Sequence, residues 1–341
     1  MNLIDQVVSS ENMQVAWKWL ERRRKDSHHN NDYWHLCHNR QDLEPKIIEQ
    51  VRNGTYLFSP CKTYNGCSVW SAQDALVIKA IALVLTEYLC PSLSKDCYHL
   101  AGNGGAKGCV NAVEQHVDLH LFVCRSDVNS YYATVDHTIL QRQLRALIPC
   151  EVTLTLLSRM LDRLDDVNGE LYEVVIGISK GNPISPLLGA VYLQPLDEAL
   201  GEYCQKHDLF YGRFMDDWVI LCKTRNQLRT AVRIMNRVLD AVKMTKHPFT
   251  FKTYIGRLRT TGFDFLGYRI GNRLINGLTI AWMTWANHRD KLNQLYEQGV
   301  SEKDIGRYVE RWRRWVRSGV EVVEGWELGF PGKQSMGPLF R

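Results

Sequence analysis

Residues 211–222, YGRFMDDWVILC, set two adjacent aspartates, Asp216 and Asp217, between an aromatic-led stretch and an almost unbroken apolar run. Two apolar, β-prone segments meeting at a polar pair specify a hairpin. Tight hairpin turns favour Asn-Gly or Asp-Gly, where φ > 0 costs little, so Asp-Asp is a poor turn pair. Neighbouring carboxylates also repel one another unless a cation neutralises them. The chain is therefore committed to a sheet at this point, with something positive at its edge.

A second apolar strand, LHLFVCRSDV, ends on Asp127. A strand end and a hairpin tip can bring three carboxylates to one edge of one sheet. Carboxylate oxygens are the hard ligands that Mg²⁺ prefers. Two such ions about 4 Å apart stabilise both the attacking and the leaving oxygen of phosphoryl transfer. A bound cation also makes clustered acids tolerable. Taken alone, an Asp-Asp turn facing solvent accounts for residues 216 and 217 equally well.

The rest of the chain is long enough to support this chemistry. Its 341 residues, 45% hydrophobic and 23% charged, suit a globular protein of two or three subdomains. The longest apolar stretch, ALVIKAIALVLTEYLC, is interrupted by Lys79 and Glu87 and reads as too short for a bilayer. The start, MNLIDQVVSSENMQ, lacks the pattern of a secretory signal. A cytoplasmic protein with no membrane partner is the expectation. Ten cysteines without a C-x-x-C pair read as reduced, packed thiols. His35, Cys37 and His38, or His116 and His120, lack the second cluster that a zinc site needs. A net charge of +5 permits nucleic-acid binding without requiring it.

Met13, Ala16, Trp17 and Leu20 recur at helical spacing before the basic run ERRRK, which suits a solvated helix end as well as an RNA contact. YLFSPCKTYNGCSVW reads as short β pieces, followed by a long helix from Ser71 that Pro91 ends. Glycines 102, 104, 105 and 108 form a loop without P-loop spacing. A helical stretch is expected from His137 to about Leu164, an amphipathic helix over NQLRTAVRIMNRVLDAV, a strand-like unit at GFDFLGYRI and helices from about Ala281.

Four motifs in order sharpen the reading. FMDD between apolar strands resembles the Y-x-D-D hairpin of reverse transcriptases, and DVNSYYATVDHTIL resembles their first carboxylate motif. GISKGNPISPLLGAVYL is similar to the glycine and Ser-Pro motif that supports template and nucleotide. FKTYIGRLRTTGFDFLGYRI is similar to later palm motifs of bacterial group II intron-like enzymes. The resemblance covers roughly residues 50 to 270. It implies that Asp127 and Asp216 bind two catalytic Mg²⁺ ions, that Asp217 assists, and that the Val128 carbonyl completes the coordination. Tyr132 falls at the position of the steric gate that excludes a ribose 2′-hydroxyl, and Lys252 where a lysine protonates the leaving pyrophosphate.

Two departures stand out. Lys180 replaces a Gln found in many relatives, which makes an ionic contact to template or triphosphate the expectation. The fingers offer only Lys62 where many intron enzymes carry an Arg-Pro pair, so Lys62 is the residue expected at the triphosphate. Toward the C-terminus Arg307, Arg311 and Arg314 share one helix face while Tyr308, Trp312 and Trp315 lie near another. The arginines suit a duplex backbone, or simply solvent. The short stretch after them leaves a stand-alone polymerase as the expectation.

The resemblance implies an α+β right-hand polymerase, with an N-terminal region and fingers over 1–115, a palm over 116–270 that includes further fingers segments, and a helical thumb over 271–341. Its implied work is to copy an RNA template into DNA from dNTPs. The AWKWLERRR start and YLFSPCKTY look most like free-standing enzymes, including antiphage types that copy a structured noncoding RNA encoded nearby. A diversity-generating or retron-type enzyme is the nearest alternative. An RNA-dependent RNA polymerase would not need an aromatic gate, and a non-catalytic splicing helper would not need three aspartates.

Overall fold

The helical quartet near the start forms as its spacing requires. After α1 (Leu3–Val7), helix α2 (Ser10–Arg24) buries Met13, Ala16, Trp17 and Leu20, and the Ser9 side chain caps it by accepting the Asn12 N–H. The computed structural model describes residues 2–64, 67–248, 252–272 and 277–321. Helices α3 (Asp32–His38) and α4 (Arg40–Arg52) lead to strands β1 (Cys61–Tyr64) and β2 (Cys67–Val69). Ser71 then caps α5 (Ala72–Leu89), accepting the Asp74 N–H while its own hydroxyl donates to the Asp74 carboxylate at 2.6 Å.

With the short 3₁₀ turn that follows, the α5 segment runs over Ala72–Ser92, 21 residues that are long and apolar enough to cross a bilayer. The sequence reading of this stretch as too short is corrected: Lys79 and Glu87 do not interrupt the helix. Most of α5 is buried, and it packs on α1, α2 and α3.

Next come α6 (Gly105–Val117), β3 (Phe122–Asp127), α7 (His137–Leu147) and α8 (Glu151–Leu161). The single helical stretch expected from His137 is broken in two, because Pro149 drives Ile148 to an extended φ of −113° and ψ of 113°. After β4 (Leu164–Val167) and β5 (Glu170–Glu173) come α9 (Ser185–Tyr192) and α10 (Gln194–Lys206). Then follow β6 (Phe210–Phe214), β7 (Asp217–Cys222), α11 (Arg225–Ala241) and β8 (Tyr254–Arg257). The unit GFDFLGYRI is two strands, β9 (Thr261–Phe265) and β10 (Tyr268–Asn272). Leu266 at φ 46° and Gly267 at φ 89° make the turn between them. Strand β11 (Gly277–Ile280) and helices α12 (Trp282–Glu297) and α13 (Glu302–Arg317) close the described chain.

The chain divides into two compact units that interleave along the sequence. One comprises Met1–Ala101, Val128–Ala199 and Met235–Lys246; the other comprises Gly102–Asp127, Leu200–Ile234 and residues from His247 onward. The first contains the sheet β2-β1-β4-β5, with β1 and β4 parallel. The second contains the antiparallel sheet β6-β7-β3-β8, the sheet β11-β10-β9, and the α12–α13 pair. Leu292, Ile305 and Val309 form the buried seam of that helix pair.

Candidate functional site

Antiparallel pairing brings the acids together in the second unit. In the β3–β7 register Asp127 stands directly opposite Asp217, and in β6–β7 Phe214 stands opposite Asp217. Directly opposed residues of an antiparallel pair project from the same face, so two carboxylates separated by 90 positions in the chain become cross-strand neighbours. The turn is Met215–Asp216, so the expected Asp216–Asp217 tip is corrected by one residue: Asp217 begins β7. Met215 takes the left-handed φ of 57° that a two-residue hairpin needs.

Three side-chain cations lie around this acid cluster, Lys252 and Arg125 beside Asp127 and Arg213 one position before Phe214. Lys252 Nζ donates to Asp127 Oδ2 at 2.8 Å, with Asp127 4% and Lys252 44% exposed along their side chains. Arg213, fully buried on β6, donates from Nη1 to the Met215 carbonyl at 2.6 Å and so holds the strained turn. Arg125 lies on β3 two residues before Asp127, on the same face. These charges register in the acids. Burial pushes the Asp217 carboxyl up to about 6, against the opposing pull of Arg125 and helped by Asp216 and Asp127. Burial also raises Asp216, as does Asp127, while Lys252 and Arg213 pull it down. The hydrogen bond to Asp127 raises the Lys252 ammonium above its ordinary value.

Asp127 Oδ1 is buried and has no hydrogen-bond partner among the described residues. An orphaned carboxylate oxygen beside two further carboxylates is the donor chemistry of a hard divalent cation. Among the described residues, no three His, Cys, Asp or Glu side chains are gathered tightly enough to hold an ion as they stand. Lys252 holds the place beside Asp127 Oδ2 instead. Val128 follows Asp127 and pairs in an isolated bridge with Lys246. The ladder bonds around its bridge with Lys246 run from the Asn129 N–H to the Thr245 carbonyl and from the His247 N–H to the Asp127 carbonyl. Neither of these two bonds uses the Val128 carbonyl.

The other expected residues lie as follows. In the first unit, Tyr132 is half-buried in the 3₁₀ turn Tyr131–Thr134. Lys62 is exposed on β1, opposite Val69 on one side and Asp166 on the other. Lys180 is exposed on a loop closed by a 2.7 Å bond from Ser185 Oγ to the Ser179 carbonyl. In the second unit, Arg307, Arg311 and Arg314 line a groove of α12 and α13 with Lys291 and Lys303. Of the aromatic residues, Tyr308 lines the same groove, whereas Trp312 stacks on His288 at 3.9 Å and Trp315 stacks on Tyr268 at 5.6 Å. Arg125 and Arg213 were not singled out by sequence reasoning. A lone arginine inside an apolar β run, two or three residues before an acid, is the signal that could have found them.

A model of the family described as reverse transcriptase (RNA-dependent DNA polymerase) matches residues 61–270 of this chain, more than half of it. The chain belongs to the reverse transcriptase family. Its fold is thus the α+β polymerase type. Reverse transcriptases use divalent metal ions. Two solved structures are similar to this reverse transcriptase: chains of a partial Cas6-RT-Cas1–Cas2 complex and of a Cas6-RT-Cas1–Cas2 complex. Each is 22% identical over 71% of the chain, with a TM-score of 0.45. This reverse transcriptase spans 42% and 26% of the lengths of those chains.

Proposed function

We propose that this chain is an RNA-directed DNA polymerase that copies a dedicated, structured noncoding RNA into DNA from dNTPs, using Asp127, Asp216, Asp217 and the Val128 carbonyl to hold two Mg²⁺ ions. The observation that carries the reading is the cross-strand pairing of Asp127 with Asp217 beside the Met215–Asp216 turn, with Asp127 Oδ1 buried and unpartnered among the described residues. Bound divalent cations would supply Lewis-acid stabilisation of developing charge on phosphoryl oxygens. The protein's own groups do the rest. Lys252, charged and held beside the acids, is the proton donor for the leaving pyrophosphate. Tyr132 screens the sugar. Lys62 and Lys180 meet phosphate or template oxygens. In this reading residues 1–115 and segments between the palm motifs act as fingers, 116–270 as palm and 271–341 as thumb.

The groove lined by Lys291, Lys303, Arg307, Arg311 and Arg314 supports a duplex contact. Phosphates met by lysines and arginines release counterions, so binding is expected to weaken steeply with salt. A-form RNA is read mainly through shape, phosphates and 2′-hydroxyls, which makes a folded RNA the natural source of selectivity. Antiphage defence is the biological role proposed on the sequence resemblance to free-standing enzymes.

The test has two arms. Asp216→Asn keeps shape and removes a charge; incorporation of dNTPs on a primed template is expected to fall by about a hundredfold or more. Unchanged incorporation would remove Asp216 from the site. Sequencing the RNA that accompanies the purified protein at moderate salt is expected to return one abundant species, which is copied when dNTPs are added. A mixture resembling total cellular RNA would refute the dedicated template and leave the polymerase assignment intact.

A further inference from the structure

Tyr131 has no part in the roles above, yet it is the more tightly held of two successive tyrosines. It is 6% exposed, and its hydroxyl donates to the Gly189 carbonyl of α9 at 2.5 Å across 58 positions of sequence. Its ring stacks on Tyr132, with centroids 5.3 Å apart and planes inclined by 26°. Gly189 is what lets the ring sit there. A Cβ at that position would come within 3.0 Å of the Tyr131 hydroxyl oxygen, 3.1 Å of Cε1 and 3.3 Å of Cζ. Glycine inside a helix is unfavourable relative to alanine, so a helical glycine packed under an aromatic ring points to a packing need.

The backbone beneath Tyr132 is fixed as firmly. Its carbonyl accepts the Ile178 N–H at 2.7 Å, and the Gly177 N–H donates to the Val135 carbonyl at 2.8 Å. Gly177 lies at φ 91°, where a Cβ would come 3.0 Å from the Ala133 carbonyl and 3.1 Å from that of Tyr132. His137 Nε2 in turn donates to the Gly177 carbonyl at 2.8 Å. With the backbone pinned on one side, the freedom left to the Tyr132 ring is rotation about its own side-chain bonds. The stacked face of Tyr131 limits that rotation.

We infer that Tyr131, seated on Gly189, is a positioning residue that fixes the Tyr132 ring and thereby sets discrimination between deoxyribo- and ribonucleotides. The inference rests on the reading of Tyr132 as the sugar gate. A gate works by steric exclusion, so a ring free to swing admits the 2′-hydroxyl for part of the time. Aromatic pairs are worth enough to bias a rotamer by a factor of about 2 to 10, and selectivity is expected to relax by a similar factor when the support goes.

The experiment is single-nucleotide primer extension by the full chain, with kcat and KM measured for one dNTP and the matching rNTP. Six proteins are compared: wild type, Tyr132→Val, Tyr131→Phe, Tyr131→Leu, Gly189→Ala and the double variant Tyr131→Leu/Tyr132→Val. Tyr132→Val is expected to raise ribonucleotide use. Tyr131→Leu and Gly189→Ala are expected to move the same ratio in the same direction by about 2- to 10-fold. The change should fall mainly in the rNTP KM, with the dNTP kcat retained. Tyr131→Phe, which keeps the ring, is expected to restore most of the selectivity. Adding Tyr131→Leu to Tyr132→Val is expected to change nothing further, because a support has no effect once the gate is gone. If Tyr132→Val relaxes selection while Gly189→Ala and Tyr131→Leu leave it unmoved, the support role is refuted and the gate stands. A flat ratio in Tyr132→Val refutes the gate and the inference with it. Should Tyr131→Leu fail to fold, Gly189→Ala decides.

Discussion

Arg213 offers the sharpest test of how the acid cluster is held. The guanidinium is 0% exposed and its Nη1 lies 2.6 Å from the carbonyl of Met215, a residue at φ 57°. In Arg213→Met a chain of similar volume fills the site while the charge and the donor vanish. A charge-assisted hydrogen bond contributes about 1.5–3 kcal/mol, and Arg213 is the weakest of the influences on the Asp216 carboxyl. Asp216 is only half-buried and adds little, so the hydrogen bond sets the loss at about 3 kcal/mol at most. With a urea slope of 1–3 kcal/mol/M that lowers the unfolding midpoint by about 1 M or more. Arg213→Lys keeps the charge but has a single ammonium in place of the fork, and about half the loss is expected. Freed from its anchor, the Met215–Asp216 turn relaxes, and dNTP incorporation at a permissive temperature is expected to fall about a hundredfold, as for a misplacement of about 1 Å. Equal urea midpoints for Arg213→Met and wild type, with incorporation unchanged, would refute the argument.

Two further outcomes follow from the second unit. His288 stacks on Trp312 and meets the Tyr308 hydroxyl at 3.0 Å, and burial, aided by Arg313, holds its imidazole down at about 4. Its unfolded value lies near 6.5, so the unfolded chain binds the extra proton between pH 6.5 and 4. Stability is full above 6.5 and falls as pH drops, by roughly 2 kcal/mol at pH 5; tryptophan-fluorescence melts should lose that slope in His288→Phe. Lys107 lies 4.4 Å from the ring centres of both Tyr268 and Trp315 and donates to the Trp315 carbonyl at 2.6 Å. Lys107→Met is expected to cost about 1–3 kcal/mol and to speed proteolysis near the end of α13, whereas Lys107→Arg should recover part of the loss.

What the sequence discloses is what depends on near neighbours. The face Met13, Ala16, Trp17 and Leu20 of α2, the Ser71 start of α5 and the apolar strands on either side of the acid pair all follow from periodicity and capping within a few residues. Pro149 was equally local, but the long apolar pattern around it masked its effect on Ile148. The position of the turn was off by one because Asp-Asp drew attention to charge, whereas register with Phe214 decides which residues turn. The long-range pairings were hidden for a different reason, although Lys252 itself was expected at the site. Lys252 reaches Asp127 across 125 positions, and Tyr131 reaches Gly189 across 58. No local pattern encodes such a pair, and only sheet register and helix packing bring its members together.

The question raised by two adjacent aspartates has a two-part answer. Arg125 is carried on the same strand as Asp127 and Arg213 on the strand that leads into the Met215–Asp216 turn, so their charges arrive with the fold; Arg213, wholly buried, cannot leave without unfolding β6. Lys252 is different, because 44% of its side chain is exposed while its partner Asp127 is 4% exposed. A lysine with that much access to water can exchange its carboxylate for another anion at little desolvation cost, whereas Asp127 cannot follow it. Even with all three cations in place, Asp217 is pushed up to about 6, so burial and carboxylate repulsion still outweigh Arg125 there. The fold thus supplies enough positive charge to let the acids assemble and too little to satisfy them. Arg213 is thus locked within the strand pair, whereas Lys252 keeps contact with water beside the acids.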